Sequence, residues 1–145
     1  MMRAWVLPVL LVVSGLLLAI SLVVRGSPVG GAVLLLGFVL LAGVNSPLAF
    51  PRSVSAAEAQ RLSAVDGLPV VYWRAGCKYC LRLRFRLGAG AGRLHWVNIW
   101  SDPAGAEVVR SVNGGDETVP TVVVAGRPHV NPDPAWVRGL LTPRS

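Results

Sequence analysis

The sequence predicts an α/β domain, with elements in the order βαβαββα, behind a pair of apolar helices. Three observations carry this expectation. The first fifty residues hold only Arg3 and Arg25 as charges, whereas all seven acids and the other twelve basic residues follow Pro51. From Gly67 onward, short runs of strand-forming residues alternate with helix-like segments, several opened by Asp-Pro or closed by glycine. The chain's only two cysteines, Cys77 and Cys80, stand at a junction between such a strand and such a helix.

Ala4 to Val24 is uncharged and, at about 1.5 Å per residue, reaches roughly 30 Å, the thickness of a bilayer's hydrocarbon core. A short polar break, Arg25-Gly-Ser-Pro28, leads to a second apolar run from Val29 to Phe50, whose last third is weakened by Asn45, Ser46 and Pro47. Two spans, about 4–24 and 29–50, give a membrane hairpin over residues 1–51. A cleaved signal peptide fits less well, because the first run is long for a signal core and no clear A-x-A site follows. Arg3 precedes the hairpin, Arg25 sits in its turn, and Arg52 and Arg61 follow it. That balance places both ends of the hairpin, and the C-terminal domain, on the cytoplasmic side of the cell membrane. Trp5 suits a membrane-interface anchor.

Residues 52–66 read as a linker with a short helix, capped by Ser55 with Glu58 three residues on. The globular domain then runs from 67 to 145. Leu68–Trp73 is a buried strand and Cys77–Leu87 a helix, ended by the Gly88-Ala-Gly-Ala-Gly92 stretch. Leu94–Trp100 is a second strand. Asp102 caps a helix with Pro103 at its first position, stopped near Asn113-Gly114-Gly115. Val119–Ala125 and Arg127–Val130 are a third and fourth strand joined at Gly126, and Pro134–Leu141 is a last helix. Strand, helix, strand implies a right-handed crossover and a parallel first pair; the last two strands are close enough to form a hairpin.

C-x-x-C beside a strand–helix–strand pattern reads as a redox motif. Cys77 falls where unpaired helix N–H groups and the helix dipole favour an anion, which lowers a thiol's pKa. The thiolate is the attacking species in disulfide exchange. Cys80 lies on the same helical face and can resolve a mixed disulfide formed on Cys77, and Lys78 and Arg82 add positive charge nearby. Other readings compete. A zinc site would need two more ligands, and His95 and His129 lack paired spacing. A structural disulfide across two residues closes too small a loop to stabilise much. Inert buried thiols conflict with the exposed helix start. No metal site is expected.

A second feature lies about forty residues downstream. Glu117-Thr-Val-Pro-Thr121 puts a proline at the mouth of a strand, a place that needs no N–H donor. If its peptide bond is cis, the backbone of Val119 is open to an extended substrate segment.

With these residues in hand, the sequence resembles the glutaredoxin family, most closely the mycoredoxins of actinobacteria. The matching residues are Cys77-Lys-Tyr-Cys80 with Leu81-Arg-Leu83, Ser111-Val-Asn-Gly-Gly115, Thr118-Val-Pro-Thr121 and Asn131-Pro132, over roughly the last seventy residues. The resemblance implies a thioredoxin-like fold that reduces mixed disulfides between proteins and a low-molecular-weight thiol, a cosubstrate with no bound cofactor. It implies that Cys77 is the nucleophile, Cys80 the second cysteine and Pro120 the cis-proline. Tyr79, Thr118, Val119 and Pro120 would bind substrate, Val119 through backbone hydrogen bonds. Much of the family's chemistry proceeds on the first cysteine alone.

Two departures stand out. Lys78 replaces the proline that often follows the first cysteine, and Gly76 replaces the aromatic residue common before it in mycoredoxins, which leaves open whether Trp73 covers the site. Glutathione-using members tend to carry an acidic pair after the proline strand. Here His129-Val-Asn-Pro-Asp-Pro134 supplies one Asp, which favours mycothiol.

The remaining features point to packing and surface. Trp73, Trp96, Trp100 and Trp136 suit core or rim. Arg82 and Arg86 share one helix face and Arg84 points elsewhere, as a solvated surface or as contact with anionic headgroups. No fold motif supports nucleic-acid binding. The expected partners are mixed-disulfide proteins, a small thiol (mycothiol or glutathione) and the lipid bilayer. An exported disulfide exchanger and an iron–sulfur or metal-binding module are the alternatives.

Overall fold

The computed structural model describes residues 3–142. The chain divides into two units, Met1–Ala49 and Phe50–Ser145. The first is a helical hairpin of α1 (Arg3–Val24) and α2 (Pro28–Val44), turned at Gly26, whose φ of +83° suits glycine. Small residues let the helices approach closely. A Cβ on Gly15 would fall 2.5 Å from that of Phe38, and one on Gly31 would fall 2.8 Å from the Ala19 carbonyl oxygen. Most other large side chains of both helices point outward, among them Leu17 and Leu36.

One of these helices, over Trp5–Val24, is long and apolar enough to cross a membrane; Pro28–Val44 is also apolar but shorter. The second run thus stops short of the expected Phe50. Asn45 Nδ2 adds a bond to the Leu41 carbonyl at 2.9 Å and Ser46 Oγ one to that of Gly43 at 2.8 Å, and Pro47 has no N–H to continue the helical ladder. Pro47 then opens a 3₁₀ turn, Pro47–Ala49.

The second unit holds α3 (Ala56–Asp66), β1 (Val70–Trp73), α4 (Lys78–Leu87), β2 (His95–Asn98), α5 (Pro103–Val112), β3 (Thr121–Val124), β4 (Arg127–Val130) and α6 (Pro134–Gly139). The sheet order is β2-β1-β3-β4. β1 and β2 are parallel, as the crossover demands, while β3 is antiparallel to both β1 and β4. Together with the two helical layers this is the expected α/β arrangement. The Gly88–Arg93 stretch, expected only to end α4, continues it as a 3₁₀ segment.

Register separates the two faces. Val70 and Tyr72 point toward α3 and α5, where Gln60 Nε2 donates to the Tyr72 hydroxyl at 3.3 Å. Val71, Trp96 and Val122 are aligned on the other face. That face meets the second helical layer, because Trp96 Nε1 donates to the Ala91 carbonyl at 2.7 Å and His129 lies 4.5 Å from the Trp136 ring of α6. All four residues of β1 are buried, each large side chain contributing about 1.5–3 kcal/mol.

Residues 50–66 are part of this unit rather than a free linker. Phe50 stacks on Trp73 with ring centroids 3.7 Å apart, and Trp73 Nε1 donates to Ser53 Oγ at 3.0 Å. Ser53 forms a parallel bridge to Trp96, and the Val54 amide donates to the Trp96 carbonyl at 2.9 Å. Asp102, the cap of α5, also accepts the Ala56 amide and so joins the starts of two helices.

Candidate functional site

β1 ends at Trp73, and the chain turns through Gly76, whose φ of +73° is left-handed. Cys77 follows as the cap of α4, in extended conformation, with Lys78 as the first helical residue. Its Sγ accepts the Cys80 amide at 3.2 Å, standing where an N-cap oxygen would stand. On the other side the Cys77 thiol donates to the Val119 carbonyl at 3.3 Å. Sequence elements 42 residues apart therefore meet at one sulfur.

The Val119–Pro120 bond is cis and Pro120 is buried at the entry to β3. The loop before it is braced from behind. Thr121 Oγ1 donates to the Thr118 carbonyl at 2.8 Å, Asn113 Nδ2 donates to Thr121 Oγ1 at 3.3 Å, and the Asn131 amide donates to the Pro120 carbonyl at 2.7 Å. Arg110 holds Glu117 at 2.7 Å. Sequence reasoning matched Asn113, Thr121 and Asn131 as family motif residues without seeing this bracing role.

Cys77, Lys78, Tyr79, Thr118 and Val119 line one cavity of about 520 Å³, together with Arg74 and Asp116. Tyr79 is exposed, with the Lys78 ammonium 5.0 Å from its ring centroid. Arg74 was not singled out from the sequence. It lies 5.9 Å from the Trp100 ring centroid, so Trp100 belongs to the rim of this region. Trp73 does not cover the site: it is buried under Phe50. Arg82 is also elsewhere, in a cleft between α4 and α6.

The two thiols are pushed apart in acidity. Cys77 is lowered from 9.0 to about 6, chiefly by the Cys80 thiol, with further help from the Cys80 and Tyr79 amides and the Arg74 charge; partial burial opposes this. The bond to Val119 belongs to the neutral thiol and is lost on ionisation. Cys80 is fully buried, and burial, then Cys77, drives its pKa up. Both cysteines are free. The pair thus combines a partly buried sulfur that ionises near neutrality with a fully buried one that stays protonated. Among the described residues, no three His, Cys, Asp or Glu side chains cluster closely enough to hold a metal.

The glutaredoxin family model matches residues 70–130, from the start of β1 to the end of β4. Two proteins named as glutaredoxins, from Mycobacterium tuberculosis strains CDC 1551 and H37Rv, are each 43% identical over 72 residues, which covers 49% of this chain and 86% of the relative. The chain belongs to the glutaredoxin family. This glutaredoxin is accordingly a thiol–disulfide oxidoreductase with a thioredoxin-like fold. The family match begins at Val70, so the hairpin and α3 lie outside it.

Proposed function

We propose that this glutaredoxin is anchored in the cell membrane by its N-terminal hairpin, faces the cytoplasm, and reduces protein mixed disulfides with mycothiol through Cys77. The observation that carries the reading is the Cys77 sulfur itself, acidified to about 6 at the start of α4 and lining a cavity beside the Val119 backbone. The thiolate attacks the small-thiol sulfur of a protein mixed disulfide. The protein's sulfur leaves as a thiolate and takes a proton, while the small thiol stays on Cys77. A second small thiol, once deprotonated, then attacks that adduct, releasing the symmetric disulfide and restoring Cys77. Cys80 offers the other exit: it loses its proton, attacks Cys77 and expels the small thiol, leaving a Cys77–Cys80 disulfide.

Tyr79, Thr118, Val119 and Pro120 are the proposed substrate-binding residues. Tyr79 presents an exposed ring, and Val119 a backbone held next to the sulfur. The preference for mycothiol is supported by the fate of the one acid after the proline strand. Asp133 Oδ1 accepts the Ala135 amide at 2.6 Å and the Trp136 amide at 3.4 Å, so one oxygen of the single acid is engaged as the cap of α6 where an acidic pair would hold an ammonium group. Anchoring is supported by the apolar Trp5–Val24 helix, and the cytoplasmic side by arginines flanking both ends of the hairpin.

Turnover of mycothiolated and glutathionylated forms of one model protein, measured side by side, tests the chemistry. Faster turnover of the mycothiolated form is expected, and Cys77→Ser should remove both activities. Equal rates, or activity that survives the substitution, would overturn the assignment. A C-terminal reporter active on only one side of the membrane tests the orientation.

A further inference from the structure

The two helical layers of the globular unit differ in charge. On the side of α3, α5 and the loop at 113–118 lie Glu58, Asp66, Asp102, Glu107, Asp116 and Glu117, and the two arginines there are paired. Arg61 meets Glu58 at 2.6 Å, and Arg110 meets Glu107 at 2.8 Å and Glu117 at 2.7 Å. The layer of α4, the 3₁₀ segment and α6 carries Lys78, Arg82, Arg84, Arg86, Arg93 and Arg138, with Asp133 as its single acid among the described residues.

Within this basic layer the arginines fall into two groups. Arg84 turns to the Gly88 carbonyl at 3.1 Å and Arg93 to that of Leu141 at 2.7 Å, both closing backbone ends. Arg82, Arg86 and Arg138 instead converge on one cleft of about 130 Å³ between α4 and α6, and no ion pair involves them among the described residues. Asp133 borders this cleft, but its Oδ1 is engaged by the α6 amides. Phe85 is 61% exposed and lies on the same outer side of α4, three residues after Arg82 and next to Arg86.

Three planar guanidinium forks without carboxylate partners suit phosphate oxygens, and an exposed phenyl ring beside them suits the headgroup–acyl boundary. From this we infer that the outer face of α4 and α6 docks on an anionic phospholipid surface, with Arg82, Arg86 and Arg138 on headgroup phosphates and Phe85 dipping below them. The inference rests on the reading that the hairpin of the same chain sits in a bilayer. That anchor supplies the occupant, since it keeps a lipid surface at high local concentration around this face.

The test is amide hydrogen exchange on the full chain in nanodiscs of phosphatidylcholine alone or with added phosphatidylglycerol. Amides of α4 and α6 should exchange several-fold more slowly in the anionic discs, while those of α3 and α5 serve as the unchanged internal reference. The slowing should vanish at high salt and in the R82Q/R86Q/R138Q variant, and shrink in Phe85→Ser, with circular dichroism confirming that each variant is folded. Equal exchange in the two discs would overturn the inference. So would equal slowing by inorganic phosphate in neutral discs, which marks a small-anion site, or by an acidic peptide, which marks a protein surface. Flotation of the chain with vesicles after an alkaline wash separates the two readings: its loss refutes anchoring, whereas retained flotation with unchanged exchange refutes only the docking face.

Discussion

The starts of α4 and α5 solve the same problem with different atoms. Each helix begins with backbone N–H groups that no turn can satisfy, and with the positive end of a dipole. At α5 the carboxylate of Asp102 accepts the amides of Ala104 and Gly105 and reaches across to that of Ala56. At α4 the acceptor is Cys77 Sγ, which takes the Cys80 amide at 3.2 Å. An oxygen cap is chemically inert, so the helix-end field is converted into stability. A sulfur cap is a poorer acceptor, but the same field holds it as a nucleophile. The difference shows how one feature of helix geometry serves folding at one place and reactivity at another.

Exchanging the chemistry of these two positions gives the sharpest tests. Cys77→Ser keeps a good cap and loses the nucleophile, so turnover of mixed disulfides should drop to the uncatalysed background, while thermal stability barely changes below about pH 6, where the thiolate contributes nothing. The second test is pH. Alkylation of Cys77 should reach half its maximal rate near pH 6, against about 8.5 for an ordinary thiol. Because the folded-state pKa is depressed, the thiolate's contribution to the stability of the reduced protein is complete above the ordinary thiol range. It declines as pH falls through that range toward about 6 and is gone below. Urea melts of wild type and Cys77→Ser across this window should therefore diverge toward high pH.

Cys80→Ala removes the group that contributes most to acidifying Cys77, so the alkylation midpoint should climb from about 6 toward the free-thiol value, with Cys80→Ser falling between. Asp102→Ala should act in the opposite compartment. It strands three amides and should cost about 2 kcal/mol in denaturant melts while leaving the Cys77 pH profile in place. The smallest effect is expected from Ser55→Ala, where a single exposed cap bond at 3.2 Å is lost, about 0.5–1 kcal/mol.

Much of this architecture is legible in local sequence because its signals are local. Asp102-Pro103 and Asp133-Pro134 marked helix starts that the structure places at the same residues, and Gly126 marked the β3–β4 turn. The first strand starts later than expected and the second is shorter at both ends, since pairing partners rather than β-propensity decide where a ladder stops. The second apolar run was overextended for a related reason: hydropathy does not register that Asn45 and Ser46 bond back to the last turn through their side chains, or that Pro47 has no N–H to continue the ladder.

At the site, C-x-x-C and Thr118-Val-Pro120 were visible as motifs, and the structure brings Cys77, Tyr79, Thr118 and Val119 to one cavity while Cys80 and Pro120 are buried and do not line it. Arg74 was missed because its importance lies in a distance to Cys77 and a ring at Trp100, neither of which has a sequence signature. Lys78 and Arg82 were expected to supply the positive field. Only Lys78 lines the cavity, because helical geometry turns Arg82 toward α6.

The bridge from Ser53 to Trp96 has a practical consequence for anyone wishing to handle the oxidoreductase unit alone. β2 is an outer strand, and the stretch around Ser53 and Val54 occupies part of its open rim, while Phe50 roofs the Trp73 ring. A truncation made where the family match begins would uncover that rim and invite strand-to-strand aggregation. A fragment that keeps this rim covered should start no later than Phe50.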